Sequence, residues 1–230
     1  MEFIILSPYN SGSNLMKKLL ESTESKVCNI KYQIFKHCIH KNVLKQKIDK
    51  YPKLNIIIMY RDIFQWIKSC KKYKYNISQV KNIDKQINFG CECKNIGKAS
   101  NKLIKVYFKN LLEFHNTYYD NYKFLMENCK NNFFLINYDN LIKPIDNIIY
   151  IYSLFSNLGI TTKKDIEKVL SKPSKSHGGS VNSYIEAYNK TKSIKQHFSS
   201  NDIKIIETKS TSYEMIKDKL YNVKIQQEYL

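Results

Sequence analysis

Residues 54–60 read LNIIIMY. Four large apolar side chains, Ile56 to Met59, follow one another with no polar residue in the alternate positions. A strand with one wet face alternates apolar and polar residues. A run like this one is apolar on both faces and belongs in a parallel sheet covered by helices on either side. Two shorter runs repeat the pattern: FIIL at residues 3–6 and FFLI at residues 133–136. Between them the apolar residues recur at helical spacing. Strands alternating with helices predict an α/β fold with a parallel sheet.

The spacing predicts strands at Glu2–Leu6, Tyr32–Phe35, Leu54–Tyr60 and Phe133–Asn137. Helices are expected from Ser13, which can cap the first of them, and over Val43–Lys50, Phe64–Lys72, Asn101–Cys129, Ile145–Leu158, Asp165–Leu170 and Asp202–Tyr221. Residues 73–100 are polar and aperiodic and read as a variable insert. Residues 172–198, with Pro173, Gly178 and Gly179, read as a loop or lid. The whole chain, 1–230, is expected to form a single α/β domain with a C-terminal lid loop and helix.

The chain carries 38 basic and 20 acidic side chains, a net charge of +18. Such a balance suits an anionic partner: a nucleotide, a sulfated or phosphorylated glycan, a nucleic acid or an acidic lipid. The lysines are spread rather than blocked, and Asn, Ile and Tyr are abundant too, as an AT-rich coding sequence produces. Only a few of these charges need serve a site. No run of about 18 apolar residues occurs, which predicts no membrane span. The acidic Glu2 and short first apolar run do not read as a secretory signal, so a cytoplasmic location with reduced thiols is expected. Cys91 and Cys93 form a close pair, but no second close pair completes a metal set.

The stretch FIILSPYNSGSNLMKKLL, residues 3–20, carries a strand through a turn and a glycine into a helix. Such a turn aims backbone N–H groups and the positive end of the helix dipole at one point. Gly12 permits close approach, and Ser11, Ser13 and Asn14 add side-chain donors. A phosphate fits this arrangement, although GxxxxGK[ST] is absent. Arg61 stands at the C-terminal end of the central apolar strand, where ligands of open α/β sheets gather, and Ser69 follows eight residues later. An arginine there can clamp a phosphate with forked, charge-assisted hydrogen bonds.

Three segments, in order, resemble the sulfotransferases that use 3′-phosphoadenosine 5′-phosphosulfate. That family's first loop commonly reads Pro-(Lys/Arg)-Ser-Gly-(Ser/Thr)-(Ser/Thr), and PYNSGSN matches it with one extra residue. Its second motif is a strand followed by Arg-Asp-Pro and a serine eight residues after the arginine. YRDIFQWIKS keeps Arg61, Asp62 and Ser69, with Ile63 in place of the proline. Its third segment is similar to NYDNLIKPIDNIIYIYSLFSNLGI. The resemblance covers residues 2–72 and 133–180 and implies a nucleotide-kinase-like, P-loop-type fold.

The resemblance implies that Ser11, Gly12, Ser13 and Asn14 hold the 5′-phosphate, that Arg61 and Ser69 hold the 3′-phosphate and that Tyr138 lies near the adenine. In KPSKSHGGS, Lys175 and Gly178 are the counterparts of a basic loop closing on the nucleotide. Adenosine 3′,5′-bisphosphate would be the product, and no metal is required. After strand two the family carries a basic pair that supplies a base. Here IFKHCIHK offers Lys36 as the cation and His37 as the base, with His40 as the alternative. Asn10 stands where the family has its loop cation; it can donate a hydrogen bond but brings no charge. The acceptor would be a hydroxyl or amine on a glycan, small molecule or protein. Two other readings fit the residues: a binding protein of the same fold without turnover, and a basic nucleic-acid-binding protein that has no need of Arg61.

Overall fold

The structure is a computed structural model and describes residues 1–72, 91–94, 103–106, 108–143, 147–161, 166–170 and 194–212. Four parallel strands form the main sheet: β1 (Glu2–Leu6), β2 (Lys26–Val27), β3 (Asn55–Tyr60) and β6 (Asn132–Asn137). Their order across the sheet is β2-β1-β3-β6. β1 pairs with β3 from Phe3↔Asn55 to Leu6↔Ile58, and β3 pairs with β6 from Asn55↔Asn132 to Tyr60↔Asn137. Helices connect the strands: α1 (Ser13–Glu21), α2 (Lys41–Ile48), α3 (Ile63–Lys72) and α4 (Leu111–Asn128), followed after β6 by α5 (Tyr138–Ile142), α6 (Asn147–Asn157) and α7 (Ile166–Leu170). A 3₁₀ turn (Ile194–His197) leads to α8 (Ser200–Lys209).

The two sides of the sheet bury separate clusters, and the two-residue period of the strands sorts them. Ile4, Leu6, Ile56, Ile58 and Leu135 point to one side, where α2, α3 and α4 supply Leu44, Phe64, Trp66, Ile67, Phe114 and Tyr118. Phe3, Ile5, Ile57, Met59 and Ile136 point to the other, where α1, α5 and α6 supply Leu19, Leu20, Leu141, Leu154 and Phe155. The continuous apolar run of β3 is thus used on both faces, as a covered parallel sheet requires.

Four expectations are corrected. Tyr32–Phe35 is not a strand; the second strand is Lys26–Val27. Beyond it, the edge of β1 is satisfied piecemeal. Cys28 N–H donates to Phe3 O at 2.8 Å, Asn29 bonds both backbone groups of Ile5 through its side-chain amide (2.9 Å each), and Ser7 N–H donates to Lys36 O at 2.8 Å. Residues 29–34 bulge away as turns between these anchors, with Gln33 at φ 54°. The expected helix over Asn101–Cys129 begins only at Leu111. Leu103–Val106 is a strand (β5) paired antiparallel with Cys91–Lys94 (β4), inside the expected insert. Asn110 caps α4 by accepting from Glu113 N–H at 2.8 Å, and the Glu113 carboxylate accepts from Lys109 N–H.

The expected helix over Asp202–Tyr221 breaks at Ser210, whose backbone is extended. Asn116 of α4 holds the break, donating to Lys209 O at 2.6 Å and accepting from Thr211 N–H at 3.1 Å. Finally, Ser13 is the first helical residue of α1 and Gly12 is its cap. Lys175 and Gly178, with residues 172–193 of the expected lid, lie outside the described residues; its last part holds the 3₁₀ turn Ile194–His197. Among the described residues no helix is long and apolar enough to cross a membrane, and Cys28, Cys70 and Cys129 are free thiols.

Candidate functional site

The C-terminal edge of the sheet brings together the loop after β1, the end of β3 and the start of α5. The loop, residues 7–12, is pinned from several directions. Trp66, fully buried in α3, donates its indole N–H to Tyr9 O at 2.6 Å. Arg61 donates from Nη1 to Asn10 O at 3.1 Å. Asn10 and Gly12 take left-handed backbone conformations, at φ 61° and 81°. The Gly12 carbonyl accepts from Leu15 and Met16 N–H, which starts α1.

Gly12 is required for two reasons. Its φ disfavours a side chain, and a Cβ there would lie 1.9 Å from Tyr138 Cδ2. The room opened by the glycine is therefore taken by the Tyr138 ring. Tyr138 is buried, and the Arg61 guanidinium lies over its ring at 5.0 Å. Its place is against the loop and the arginine. Ser11 and Ser13 are also buried, and Ser11 Oγ donates to Tyr9 O at 3.5 Å. Ser69, half-buried, lies on α3 one helix turn before the C-terminal end of that helix.

Asn10, at the position of the expected cation, turns its amide inward. Nδ2 lies 3.6 Å from the Sγ of buried Cys70, whose thiol burial pushes up to about 12. Asn10 thus helps hold the loop's shape rather than presenting its amide outward. Lys36 does face the loop. Its ammonium donates to Asn14 Oδ1 at 2.7 Å, at the N-terminal turn of α1. Burial pushes its pKa below the ordinary lysine value, and the Lys17 charge adds to that. Among the described residues no carboxylate pairs with it.

His37 lies beneath the loop. It is buried, stacks on Tyr9 with ring centroids 4.2 Å apart, and donates from Nδ1 to Ser7 O at 2.8 Å in the tautomer that this contact selects. Its own carbonyl accepts from Tyr118 OH at 3.1 Å. Burial, and after it the Lys36 charge beside the ring, push its pKa down to about 3 against the opposing pull of the Ser7 hydrogen bond. A histidine so placed stays neutral and is a weak proton acceptor. His40 caps α2 through its backbone, and its Nε2 is buried without a partner among the described residues. The two histidines therefore occupy different environments, and neither stands open beside Lys36.

Asp139 was not anticipated. It is buried at the start of α5, with Oδ1 3.8 Å from Arg61 Nε and Oδ2 accepting from Asp62 N–H at 3.0 Å. Its sequence signal is a carboxylate placed directly after a buried strand and an aromatic residue, in INYD. Trp66 was placed in the expected helix without its role as the anchor of the loop. Lys36, Asn14, Gly12 and Arg61 thus form one edge of the sheet, carrying two cations and a helix N-terminus. No family model matches the chain, and no curated protein is similar to it.

Proposed function

We propose that this edge binds 3′-phosphoadenosine 5′-phosphosulfate and that the chain is a sulfotransferase. The observation that supports it best is Lys36: a partly desolvated ammonium at a helix N-terminus, with a neutral amide as its partner and another lysine nearby. Removing a cation from water without a carboxylate is unfavourable, and a bound anion would offset the cost. The 5′-phosphosulfate would lie at the α1 N-terminus against Lys36, and the 3′-phosphate near Arg61 and Ser69. In the transfer, the acceptor oxygen bonds to sulfur as the bond from sulfur to the bridging oxygen breaks. The electron pair goes to the departing phosphate, and the acceptor's proton goes to a base or to water. Lys36 would stabilise the charge growing on the leaving phosphate.

A second reading, nucleotide binding without turnover, draws support from His37, which is buried, neutral and already bonded to Ser7. Calorimetric titration with adenosine 3′,5′-bisphosphate, followed by single-turnover transfer from labelled donor, tests both. Binding with transfer supports the sulfotransferase; binding without transfer across a panel of hydroxyl and amine acceptors supports the second reading. No preference for the bisphosphate over adenosine 5′-monophosphate overturns both. Tight, strongly salt-dependent binding of single-stranded nucleic acid in its place would return the chain to the basic nucleic-acid-binding class.

A further inference from the structure

Resting on that nucleotide reading, we propose that Asp139 is the positioning residue that aims Arg61 at the 3′-phosphate. Arg61 and Asp139 leave the ends of neighbouring strands, just past the paired residues Tyr60 and Asn137. The carboxylate is fixed to the segment that carries the arginine, because Oδ2 accepts from Asp62 N–H at 3.0 Å. Its backbone is fixed as well, through a 2.8 Å bond from Asp139 N–H to Asn137 Oδ1. Oδ1 then faces Arg61 Nε at 3.8 Å, and both atoms are buried without a hydrogen-bond partner among the described residues.

The remaining contacts of Arg61 complete the clamp. Nη1 donates to Asn10 O, and the guanidinium plane lies over the Tyr138 ring. Nη2 is thus the nitrogen of the fork that, among the described residues, is neither bonded nor sealed from the surface. A guanidinium held on three sides, with one amino group outward, is organised to meet an anion before it arrives.

The charge on Asp139 is what calls for an explanation. An asparagine would accept from Asp62 N–H equally well, without the cost of burying a carboxylate. Burial pushes the Asp139 pKa up, against the pull of Arg61. A charge kept in such a place acts on its one cationic neighbour among the described residues, which is Arg61.

The test is a double-mutant cycle of Asp139→Asn and Arg61→Ala, read by titration with adenosine 3′,5′-bisphosphate and with adenosine 5′-monophosphate. Asp139→Asn keeps the acceptor for Asp62 N–H, so a merely structural role would survive it. It should weaken bisphosphate binding about tenfold while leaving monophosphate binding nearly unchanged. In the Arg61→Ala background it should weaken neither nucleotide further. The same cycle read by thermal denaturation should show Arg61→Ala lowering the melting temperature, and Asp139→Asn restoring part of that loss by removing an unpaired buried charge. The inference alone is overturned if the wild type prefers the bisphosphate and Asp139→Asn keeps that preference, or acts equally without Arg61. Equal wild-type affinities for the two nucleotides overturn the nucleotide reading and the inference with it.

Discussion

At the loop glycine and its neighbours, single side chains decide whether the candidate site can exist. Gly12→Ala would set a Cβ against the Tyr138 ring at a left-handed position. It should cost about 3 kcal/mol or more, read as a lower denaturation midpoint in urea. Asn10 separates two ideas of the loop. As an exposed stand-in for a cation it would gain from Asn10→Lys. Turned inward against Cys70, in the field of Arg61, a lysine would instead bury a second cation beside the guanidinium. Asn10→Lys should therefore destabilise the fold by about 2 kcal/mol and raise no activity, whereas Asn10→Gly, which suits φ 61°, should stay within about 1 kcal/mol of the wild type. His37 and His115 add a pH dependence. Both are buried, and burial pushes each down to about 3. His115 lies between Trp66 and Tyr119, and neither of its ring nitrogens has a partner among the described residues. The unfolded chain binds these protons near pH 6.5 and the folded chain does not. The stability they contribute is full above pH 6.5 and falls as the pH drops toward 3, by about 1.4 kcal/mol per pH unit for each histidine. Urea midpoints at pH 7.5 and 5.5 should show the loss, and His115→Phe should remove about half of it.

Elements were legible wherever burial wrote a period into the sequence. β1, β3 and β6 are continuous apolar runs, and α1, α3 and α6 carry a clear apolar face, so their positions follow from the residues. The elements that misled are those fixed by a side chain bonding to distant backbone. Tyr32–Phe35 has strand-forming residues, but the edge of β1 that it would pair with is already occupied by the amide of Asn29. A strand partner made from one side chain has no periodicity to read. The break at Ser210 is likewise held from α4 by Asn116, and the start of α4 rests on the Asn110 cap. At the candidate site, the loop and Arg61 could be read because turn chemistry and strand ends are local, whereas Lys36 rested on the resemblance and on a strand, Tyr32–Phe35, that the fold does not contain. The inward turn of Asn10, the burial of His37 and the role of Asp139 depend on packing between strands and stayed hidden. Asn29 offers a direct test. Asn29→Asp keeps an acceptor for Ile5 N–H but loses the donor to Ile5 O and Ile34 O and sets a carboxylate against them. It should cost about 2 to 4 kcal/mol and speed hydrogen exchange at Ile5, whereas exchange in β6, shielded behind β3, should change only as far as global stability does.

Over the whole molecule, 38 basic groups against 20 acidic ones create a positive field that draws any anion, and that field by itself selects nothing. Many of these lysines stand exposed in water, and some pair with carboxylates, as Lys45 does with Asp49 at 2.5 Å and Lys195 with Glu207 at 2.5 Å. Lys36 differs in being partly desolvated with a neutral amide as its partner. Two consequences of opposite sign follow for Lys36→Met. Without ligand, the variant loses a desolvated charge and its repulsion with Lys17, and the methionine keeps most of the apolar stem. The melting temperature should rise by about 2 °C. With adenosine 3′,5′-bisphosphate at about 100 times its dissociation constant, the wild type should gain roughly 2.7 kcal/mol, and most of that gain should vanish in the variant. Lys45→Met should weaken nucleotide stabilisation only slightly, through the general field, and that small effect should fade at about 0.3 M salt as distant charges are screened. The measurement is a set of thermal melts of the three proteins, with and without nucleotide, at two ionic strengths. If Lys45→Met lost as much nucleotide stabilisation as Lys36→Met, the anion would be held by the field of the whole surface, and the edge built by Lys36, Gly12 and Arg61 would not be its site.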